Sequence, residues 1–336
     1  MELVSIIMST YNTDENMLKE SISSILNQTY ENFEFIIVND ASTKNDLNII
    51  KSFKDERIVL IENEKNIGLA ASLNKAIDIS KGNYIARMDS DDISVKNRIE
   101  RQVKYLQENK HIDLIGTYAK HFGKNKNLNV TPLKKYEEVN IQLFTNTTLV
   151  HPTVMIRKKF LDMYKLRYNE GFKCAQDFEM WTKCSEHGKI EILPEVLLLY
   201  RVHNKQVSSE KQELQKLYAK QILERQLKKL NIDYNESEFN QHLILSGLRK
   251  FEVESIEELN KWINKLIIAN NNVNLYNSTL FEQIIKNKIF NIYLKSNPNK
   301  LKGFLKCMRN EKLRYLINKY TIRKSIERAI ILFKNK

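Results

Sequence analysis

The chain has 336 residues, of which 42% are hydrophobic and 28% are charged. This is the composition of a folded globular protein and excludes a disordered chain. No run approaches 18 consecutive apolar residues, so we expect no transmembrane helix. The N-terminal MELVSIIMSTYN lacks the basic segment and cleavage site of a secretory signal peptide. The three cysteines form no CxxC spacing, which argues against a disulfide framework or zinc site and favours a reducing, cytoplasmic location.

The net charge of +13 is concentrated at the C-terminal end of the chain. Residues 286–336 contain 15 Lys and Arg against 2 Asp and Glu, whereas basic and acidic residues balance over the rest of the chain. Such a basic tail predicts contact with an acidic surface, either nucleic acid or anionic lipid.

Four short apolar runs in the first 125 residues, rich in Ile and Val, have the length of β-strands. They span residues 3–10, 33–40, 57–63 and 83–89. The segments between them place apolar residues at helical spacing. Strands and helices that alternate in this way predict a parallel sheet covered by helices on both faces.

The next segments are mixed in character. Residues 149–157 resemble a strand in their pattern, and residues 174–188 predict a helix that ends at its glycine. Residues 190–203 predict a pair of strands broken at Pro194.

From about residue 211 the pattern is long and helical, with few Gly or Pro residues. We therefore predict a boundary near residue 210. It separates a domain of residues 1–210 from a helical, C-terminally basic region of residues 211–336.

Polar side chains follow three of the predicted strands, in STYN (9–12), NDAS (39–42) and MDSDD (88–92). Ligands of open α/β sheets bind outside the carboxyl ends of the strands. A parallel sheet would gather these three loops at one edge, which predicts a binding site there.

The sequence MDSDD contains a DxD pattern, Asp89 and Asp91, followed by Asp92. Carboxylate oxygens are the ligands that Mg²⁺ and Mn²⁺ prefer, and such sites keep positions open for substrate phosphates. The alternative is a solvated loop in which the aspartates cap the helix that follows. Both can hold together, with Asp89 and Asp91 facing a ligand and Asp92 capping the helix.

Several other side chains are candidates for binding or catalysis, and each could equally be an ordinary turn, helix-surface or loop residue. Tyr11 offers an aromatic face for stacking on a base. Asp40 can accept a hydrogen bond from a ring N–H such as that of uracil. The alternative is that both are turn residues. Asp177 and Glu179 are candidate general bases or ordinary acids of a helix surface. His203 is a candidate metal ligand, a phosphate contact or a loop histidine.

Seven motifs in order resemble the family 2 glycosyltransferases, which have the nucleotide-diphospho-sugar (GT-A) fold. They are VSIIMSTYN, ILNQTYENFEFIIVNDAST, NIGLAASLNKAI, YIARMDSDD, HPTVMIR, AQDFEMWTK and YRVHNKQVS. The resemblance covers about residues 1–210. The sequence is similar in particular to bacterial β-1,3-N-acetylhexosaminyl- and galactosyltransferases of lipooligosaccharide or capsule synthesis.

The resemblance implies a UDP-sugar donor and assigns residues to it. Thr10, Tyr11 and Asp40 would hold the uridine, with Asn66 nearby. The DxD segment would serve the ribose, the diphosphate and a Mn²⁺ or Mg²⁺ ion. Its members are Asp89 near the ribose and metal, Ser90 beside it and Asp91 as metal ligand, with His203 as a further candidate ligand.

The resemblance also implies that Asp177 is the catalytic base of the family's acidic pair. Two positions depart from the family pattern. The common Glu-Asp pair is Gln176-Asp177, and Leu73 stands where many relatives have Arg before the Asn, so a donor-phosphate contact is missing or supplied elsewhere. One base and no evident nucleophile predict a single displacement that inverts the anomeric carbon.

Two other functions, nucleotidyl transfer and binding of an anionic surface without catalysis, fit less of the sequence. A nucleotidyltransferase would carry a Gly-rich basic loop after the first strand, and STYNTDE has none. Binding of nucleic acid or another anionic surface through the basic tail, without catalysis, leaves MDSDD unexplained, because its carboxylates would repel phosphates.

The expected acceptor is an oligosaccharide or lipid-linked glycan of a bacterial surface, and no nucleic acid is expected as a partner. Residues 311–336 place Leu313, Leu316, Ile317 and Tyr320 on one helical face among basic residues. This pattern is typical of a helix in the interface of an anionic membrane, or of a helix packed on its own domain. The cysteine pattern predicts a cytoplasmic protein, and the first of these two alternatives would make it peripheral on the inner membrane face through residues 286–336.

Overall fold

The structure is a computed structural model, and it describes residues 1–123, 128–129, 135–203, 212–252, 256–296 and 321–327. The chain forms two compact units. The first is built from Met1–Tyr136 and Leu149–Gln215, and the second from Glu137–Thr148 and Lys216–Lys334. Residues Glu137–Thr148 thus pack with the later helices, although they lie within the predicted domain of residues 1–210.

The four predicted strands of the first 125 residues are confirmed and lie side by side in parallel, in the order β3-β2-β1-β4. They are β1 (Val4–Thr10), β2 (Phe33–Asn39), β3 (Ile58–Glu62) and β4 (Tyr84–Asp89). The helices between them are α1 (Glu15–Leu26), α2 (Asp46–Ser52) and α3 (Leu69–Ile79). The predicted alternation of strands and helices is therefore confirmed for this half of the sheet.

The sheet continues from β4 through β8, β6 and β9 to β5, and it is mixed because β8 runs antiparallel to both β4 and β6. These strands are β5 (Ile93–Ser94), β6 (Leu114–Gly123), β7 (Leu128–Asn129), β8 (Met155–Arg157) and β9 (Ile190–Val202). The helices of this part are α4 (Arg98–Glu108), α6 (Lys158–Met163) and α7 (Gln176–His187), whereas α5 (Tyr136–Leu143) belongs from Glu137 onward to the second unit. The parallel arrangement predicted from the first 125 residues thus holds for β1 to β4, and the later segments, which the sequence left mixed in character, add the antiparallel strand β8.

Two of the predicted elements differ from the structure. Within 149–157 only Met155–Arg157 is a strand, because Pro152 lies in a 3₁₀ turn that precedes it. The predicted strand pair at 190–203 is one strand, β9. Its register against β6 passes from Leu193 to Val196, so Pro194 sits in a bulge where no ladder hydrogen bond is needed.

One face of the sheet is covered by α1 and α4. Ile6 and Met8 of β1 share a buried apolar cluster with Leu18 and Ile22 of α1 and with Ile99 of α4. Burial of each such side chain contributes about 1.5–3 kcal/mol. This packing fixes the position of the strand ends, where the polar loops begin.

The second unit is helical, as predicted for the region after residue 210. Its helices are α8 (Gln212–Lys229), α9 (Glu236–Ser246), α10 (Ile256–Val273) and α11 (Ser278–Ser296), with a further helical segment at 321–327. Its core includes Phe144, Trp262 and Phe281. In the part of the chain that the structure describes, no helix is both long and apolar enough to cross a membrane.

Candidate active site

The strands β1, β2 and β4 end at one edge of the sheet, as the sequence predicted. Ser9 of β1 is in register with Val38 of β2 and with Asp89 of β4, so the loops after these strands begin side by side. Thr10 and Asp89 are thereby brought together with the loop that begins at Asp40.

Thr10 and Ser90 are joined through a third hydroxyl. The Thr10 hydroxyl donates to Asp46 Oδ2 at 2.6 Å, and the Thr13 hydroxyl lies 2.9 Å from that of Thr10 and 2.8 Å from that of Ser90. The Thr10 hydroxyl is thus already bonded within the protein. Tyr11 is 50% exposed, which leaves its ring available for stacking.

Asp40 is buried and holds the loop before α3. Its Oδ1 accepts from the Asn63 amide at 2.8 Å and from the Ile67 N–H at 2.9 Å, and its Oδ2 accepts from the Gly68 N–H at 2.9 Å. Asn66 Nδ2 lies 3.4 Å from the Asp40 carbonyl oxygen. The structure therefore brings Asp40 and Asn66 together, and it gives Asp40 an organising role that sequence reasoning missed.

Three carboxylates of the β4 loop converge. Asp89, Asp91 and Asp92 can each place one oxygen so that all three lie within 4.8 Å of one another. Asp92 is fully buried, and its Oδ2 has no hydrogen-bond partner among the described residues. Burial raises the pKa of Asp92 well above its usual range, and the charges of Asp89 and Asp91 raise it further.

The predicted capping role of Asp92 is wrong. Helix α4 begins at Arg98, and its N-cap residue is Asn97. Asp92 Oδ1 instead accepts the backbone N–H of Arg201 at 2.8 Å. Its second oxygen has no donor among the described residues, and this carboxylate set fits a hard divalent cation, which prefers oxygen ligands.

The end of β9 lies against the same loop. His203 Nε2 is 3.0 Å from Asp91 Oδ2, which brings this predicted site residue to the aspartates although it lies outside the three-carboxylate group. The Arg201 guanidinium donates to the Asp91 carbonyl oxygen at 2.6 Å and pairs with Glu20. Sequence reasoning named His203 but missed Arg201.

Arg87 is the second site residue that sequence reasoning missed. It lies on β4 two residues before Asp89, is only 3% exposed, and forms an ion pair with the Asp89 carboxylate. A strand places residues i and i+2 on one face. The sequence therefore contained a signal for Arg87, because this charged residue lies inside the apolar run YIARMD and shares a strand face with Asp89.

Asp177 lies in the first turn of α7, after Ala175, whose backbone is left-handed with φ of 56°. Burial raises the pKa of Asp177, while the Phe178 N–H and the charge of Arg87 oppose the rise. Burial likewise raises the pKa of Asp89, and the charge of Asp177 contributes to that rise. The carboxylate predicted to be the base thus lies within electrostatic reach of Asp89.

A hydrogen-bonded pair lies close to the same charges. His151 Nε2 is 2.8 Å from the Tyr168 hydroxyl. Burial lowers the pKa of His151 well below its usual range, and the charge of Arg87 lowers it further. Leu73 is fully buried.

Known proteins are similar to this chain in sequence or in fold. The model of Glycosyl transferase family 2 matches residues 5–164. A Haemophilus influenzae protein named "Uncharacterized glycosyltransferase" is 31% identical over 322 residues, which cover 90% of this chain and 97% of the relative. The Escherichia coli protein "UDP-Glc:alpha-D-GlcNAc-diphosphoundecaprenol beta-1,3-glucosyltransferase WfaP" is 30% identical over 213 residues, which cover 63% of this chain and 82% of WfaP.

Among solved structures, S. aureus TarS 1-349 in complex with UDP-GlcNAc matches with a TM-score of 0.59 and 20% identity. The match covers 94% of this chain and 90% of that chain, and at this identity it shows the fold. The mixed sheet with its helices is accordingly the predicted GT-A fold. The chain belongs to glycosyl transferase family 2 and is a glycosyltransferase.

Proposed function

We propose that this enzyme transfers a hexose or an N-acetylhexosamine from a UDP-sugar to a sugar hydroxyl of a growing bacterial surface glycan, with a divalent cation and inversion of the anomeric carbon. The observation that carries the proposal is the convergence of Asp89, Asp91 and Asp92 within 4.8 Å at the strand ends. Carboxylates alone would repel a diphosphate. This concentration of negative charge is useful when a cation binds both the carboxylates and the diphosphate.

The relatives support the choice of substrates. WfaP is named for a UDP-Glc donor and a diphosphoundecaprenol-linked acceptor, and this chain shares 30% identity with it over most of the relative's length. A UDP-sugar donor and a glycan acceptor, lipid-linked in its growing form, are the corresponding proposals here.

The residues divide into a donor group and a base. Tyr11 would stack on the uracil ring, Asp40 would accept its ring N–H, and Thr10, Asn66 and Ser90 would complete the nucleoside site. Asp89 and Asp91, with His203 beside Asp91, would hold Mn²⁺ or Mg²⁺. When bound, the cation would supply charge stabilisation to the departing diphosphate.

Asp177 is proposed as the general base. The acceptor oxygen forms a bond to the anomeric carbon as the bond from that carbon to the diphosphate oxygen breaks, and the acceptor proton passes to Asp177. UDP leaves with the electron pair of the broken bond. General-base catalysis by a positioned carboxylate contributes about 10²–10⁴-fold in rate.

Purified enzyme incubated with UDP-Glc, UDP-Gal, UDP-GlcNAc or UDP-GalNAc tests the proposal. We expect transfer or slow hydrolysis of one donor with Mn²⁺ or Mg²⁺, and loss of it with EDTA and in the variant Asp91→Asn. Asp78→Asn is the matched control, since Asp78 is an exposed carboxylate near the other end of α3 that pairs with Arg167. Full activity in EDTA and in Asp91→Asn would overturn the metal-dependent mechanism.

We also propose that the basic C-terminal segment contacts an anionic membrane. In 321–327, Ile322 and Ile326 are 49% and 54% exposed, one helical turn apart, while Lys324 is buried in an ion pair with Glu138 at 2.6 Å. An exposed apolar pair within a strongly basic segment suits the interface of an anionic bilayer. Most of the predicted amphipathic stretch, with Leu313, Leu316, Ile317 and Tyr320, lies outside the described residues.

Flotation with vesicles of anionic phospholipid tests this contact. The full chain should float, and Ile322→Glu with Ile326→Glu should reduce the floated fraction severalfold. Leu217→Glu is the control, because Leu217 is similarly exposed on α8. Equal flotation of the double variant and the wild type would contradict the proposal, as would flotation with neutral vesicles.

A further inference from the structure

Arg87 is a buried cation beneath the aspartate loop. Its side chain is 3% exposed, and its guanidinium pairs with the Asp89 carboxylate. Its Nε and Nη1 atoms have no hydrogen-bond partner among the described residues. A buried charge is costly unless it is paired, and the ion pair with Asp89 offsets the cost of burying Arg87.

A second buried guanidinium adds to the same charge balance. Arg98 is fully buried, and its Nη2 donates to the Arg87 carbonyl oxygen at 2.5 Å. Burial lowers the pKa of Arg98 to about 9, and the charge of Arg87 lowers it further, whereas Asp92 and Asp89 oppose this. Arg87 thus pairs directly with Asp89, whereas Arg98 acts on Asp89 and Asp92 through its charge.

This arrangement weakens the attraction of the loop for a lone cation. The positive charge of Arg87 offsets the negative charge of Asp89, and this offset opposes the binding of a divalent ion that arrives alone. The Asp89 oxygen that Arg87 holds must also give up or share that bond before it ligates a metal. A diphosphate that arrives with the cation restores the negative charge and removes the conflict with Arg87.

We propose that Arg87 is a positioning residue that makes cation binding depend on the donor diphosphate, by opposing the binding of a free divalent ion at Asp89. The inference deepens the proposed function and rests on its metal site. Its consequence is that the enzyme without nucleotide binds Mn²⁺ weakly, and that UDP and Mn²⁺ bind with positive coupling. Coupling of this kind is reciprocal, so the ion raises the affinity for UDP by the same factor.

Titration of Mn²⁺ followed by electron paramagnetic resonance of the free ion, with and without UDP, tests the proposal on the full chain. For the wild type we expect UDP to tighten Mn²⁺ binding by about tenfold or more. In Arg87→Met, Mn²⁺ binding without UDP should tighten by about tenfold, because one buried positive charge is removed, and the effect of UDP should shrink.

Three further variants complete the design. Arg87→Lys keeps the charge and should leave Mn²⁺ affinity close to that of the wild type, and Arg87→Gln is the uncharged alternative if the Met variant does not fold. Arg57→Met is the matched control. It removes an arginine that pairs with Asp55 before β3, away from the carboxyl ends of the strands. Circular dichroism checks the fold of each variant.

The outcomes separate the inference from the proposed function. Equal Mn²⁺ affinity in the wild type with and without UDP would overturn the role of Arg87, and so would an unchanged affinity in both uncharged variants, while metal-dependent transfer could still stand. Failure of the wild type to bind Mn²⁺ even with UDP would overturn the metal site and the inference together.

Discussion

The carboxylate of Asp40 holds the backbone of Gly68, whose N–H donates to Oδ2 at 2.9 Å. Gly68 is the N-cap residue of α3 and has φ of 89°, a left-handed conformation that glycine adopts without strain. One carboxylate thus joins the end of β2 to the start of α3. The residue proposed to bind uracil also shapes the loop before α3.

Replacement of Asp40 by Ala should therefore affect both stability and binding. Hydrogen bonds to the Ile67 and Gly68 N–H groups are lost, and bonds to charged groups are worth about 1.5–3 kcal/mol each. We expect the free energy of unfolding in urea to fall by about 3 kcal/mol or more, the lower bound for two such bonds, and UDP binding measured by calorimetry to weaken. Asp55→Ala, before β3, is the control and should leave UDP binding unchanged. Unchanged UDP affinity in Asp40→Ala would contradict the assigned role.

The transfer rate should depend on the protonation of Asp177. Because burial raises the pKa of this carboxyl, it retains its proton to higher pH than an ordinary aspartate, and a base acts only after the proton is lost. The logarithm of kcat should rise with pH, reach its inflection above 3.8, and become flat once Asp177 is ionised. A rate-against-pH series with saturating donor measures this.

Asp177→Asn provides the matched comparison, since the amide has nearly the same shape but accepts no proton. We expect transfer to fall by about 10²–10⁴-fold, with the rising limb of the pH profile abolished and UDP affinity nearly unchanged. A variant that keeps more than about a tenth of the rate would remove Asp177 from the base role. Asp78→Asn again serves as the control.

His151 and Tyr168 should be energetically coupled. Their hydrogen bond of 2.8 Å is partly buried, with Tyr168 buried, so Tyr168→Phe leaves His151 Nε2 without this partner, which costs about 1–3 kcal/mol of unfolding free energy. The double variant with His151→Phe should cost less than the sum of the two single variants. Chemical denaturation of the four proteins gives the coupling energy. A value of zero would show that the pair contributes no mutual stabilisation.

His242 should make the second unit less stable in acid. The ring is fully buried between Phe144 and Trp262, and burial lowers its pKa from 6.5 to about 3. Between these pH values the unfolded chain binds a proton that the folded chain does not. The free energy of unfolding should therefore fall as pH decreases from about 6.5 toward 3, by about 1.4 kcal/mol per pH unit from this group.

Unfolding followed by tryptophan fluorescence at pH 5 and pH 7.5 measures this loss. His242→Phe should reduce the difference between the two pH values, since phenylalanine fits an aromatic cluster and binds no proton. His187→Phe, at the C-terminal end of α7 in the first unit, is the control. An equal pH difference in His242→Phe and the wild type would contradict the prediction.

The sequence predicted the first half of the fold closely and the second half less well. The strands β1 to β4 were recognised because each is a short apolar run bounded by helical patterns. The spacing of apolar residues along the chain is enough to identify them. The 3₁₀ turn at Pro152 and the bulge at Pro194 were missed, because both depend on pairing with β6 and β4 rather than on local preference.

The sequence by itself determined which residue types stand at the strand ends, since strand period and chain order place Thr10, Asp40 and Asp89 at one edge of a parallel sheet. Only the tertiary structure decided what these residues touch. It turned Asp92 from a helix cap into a buried member of the cluster, and paired Asp89 with Arg87. The reason is that burial and charge contacts join segments distant along the chain, and only folding sets their distances.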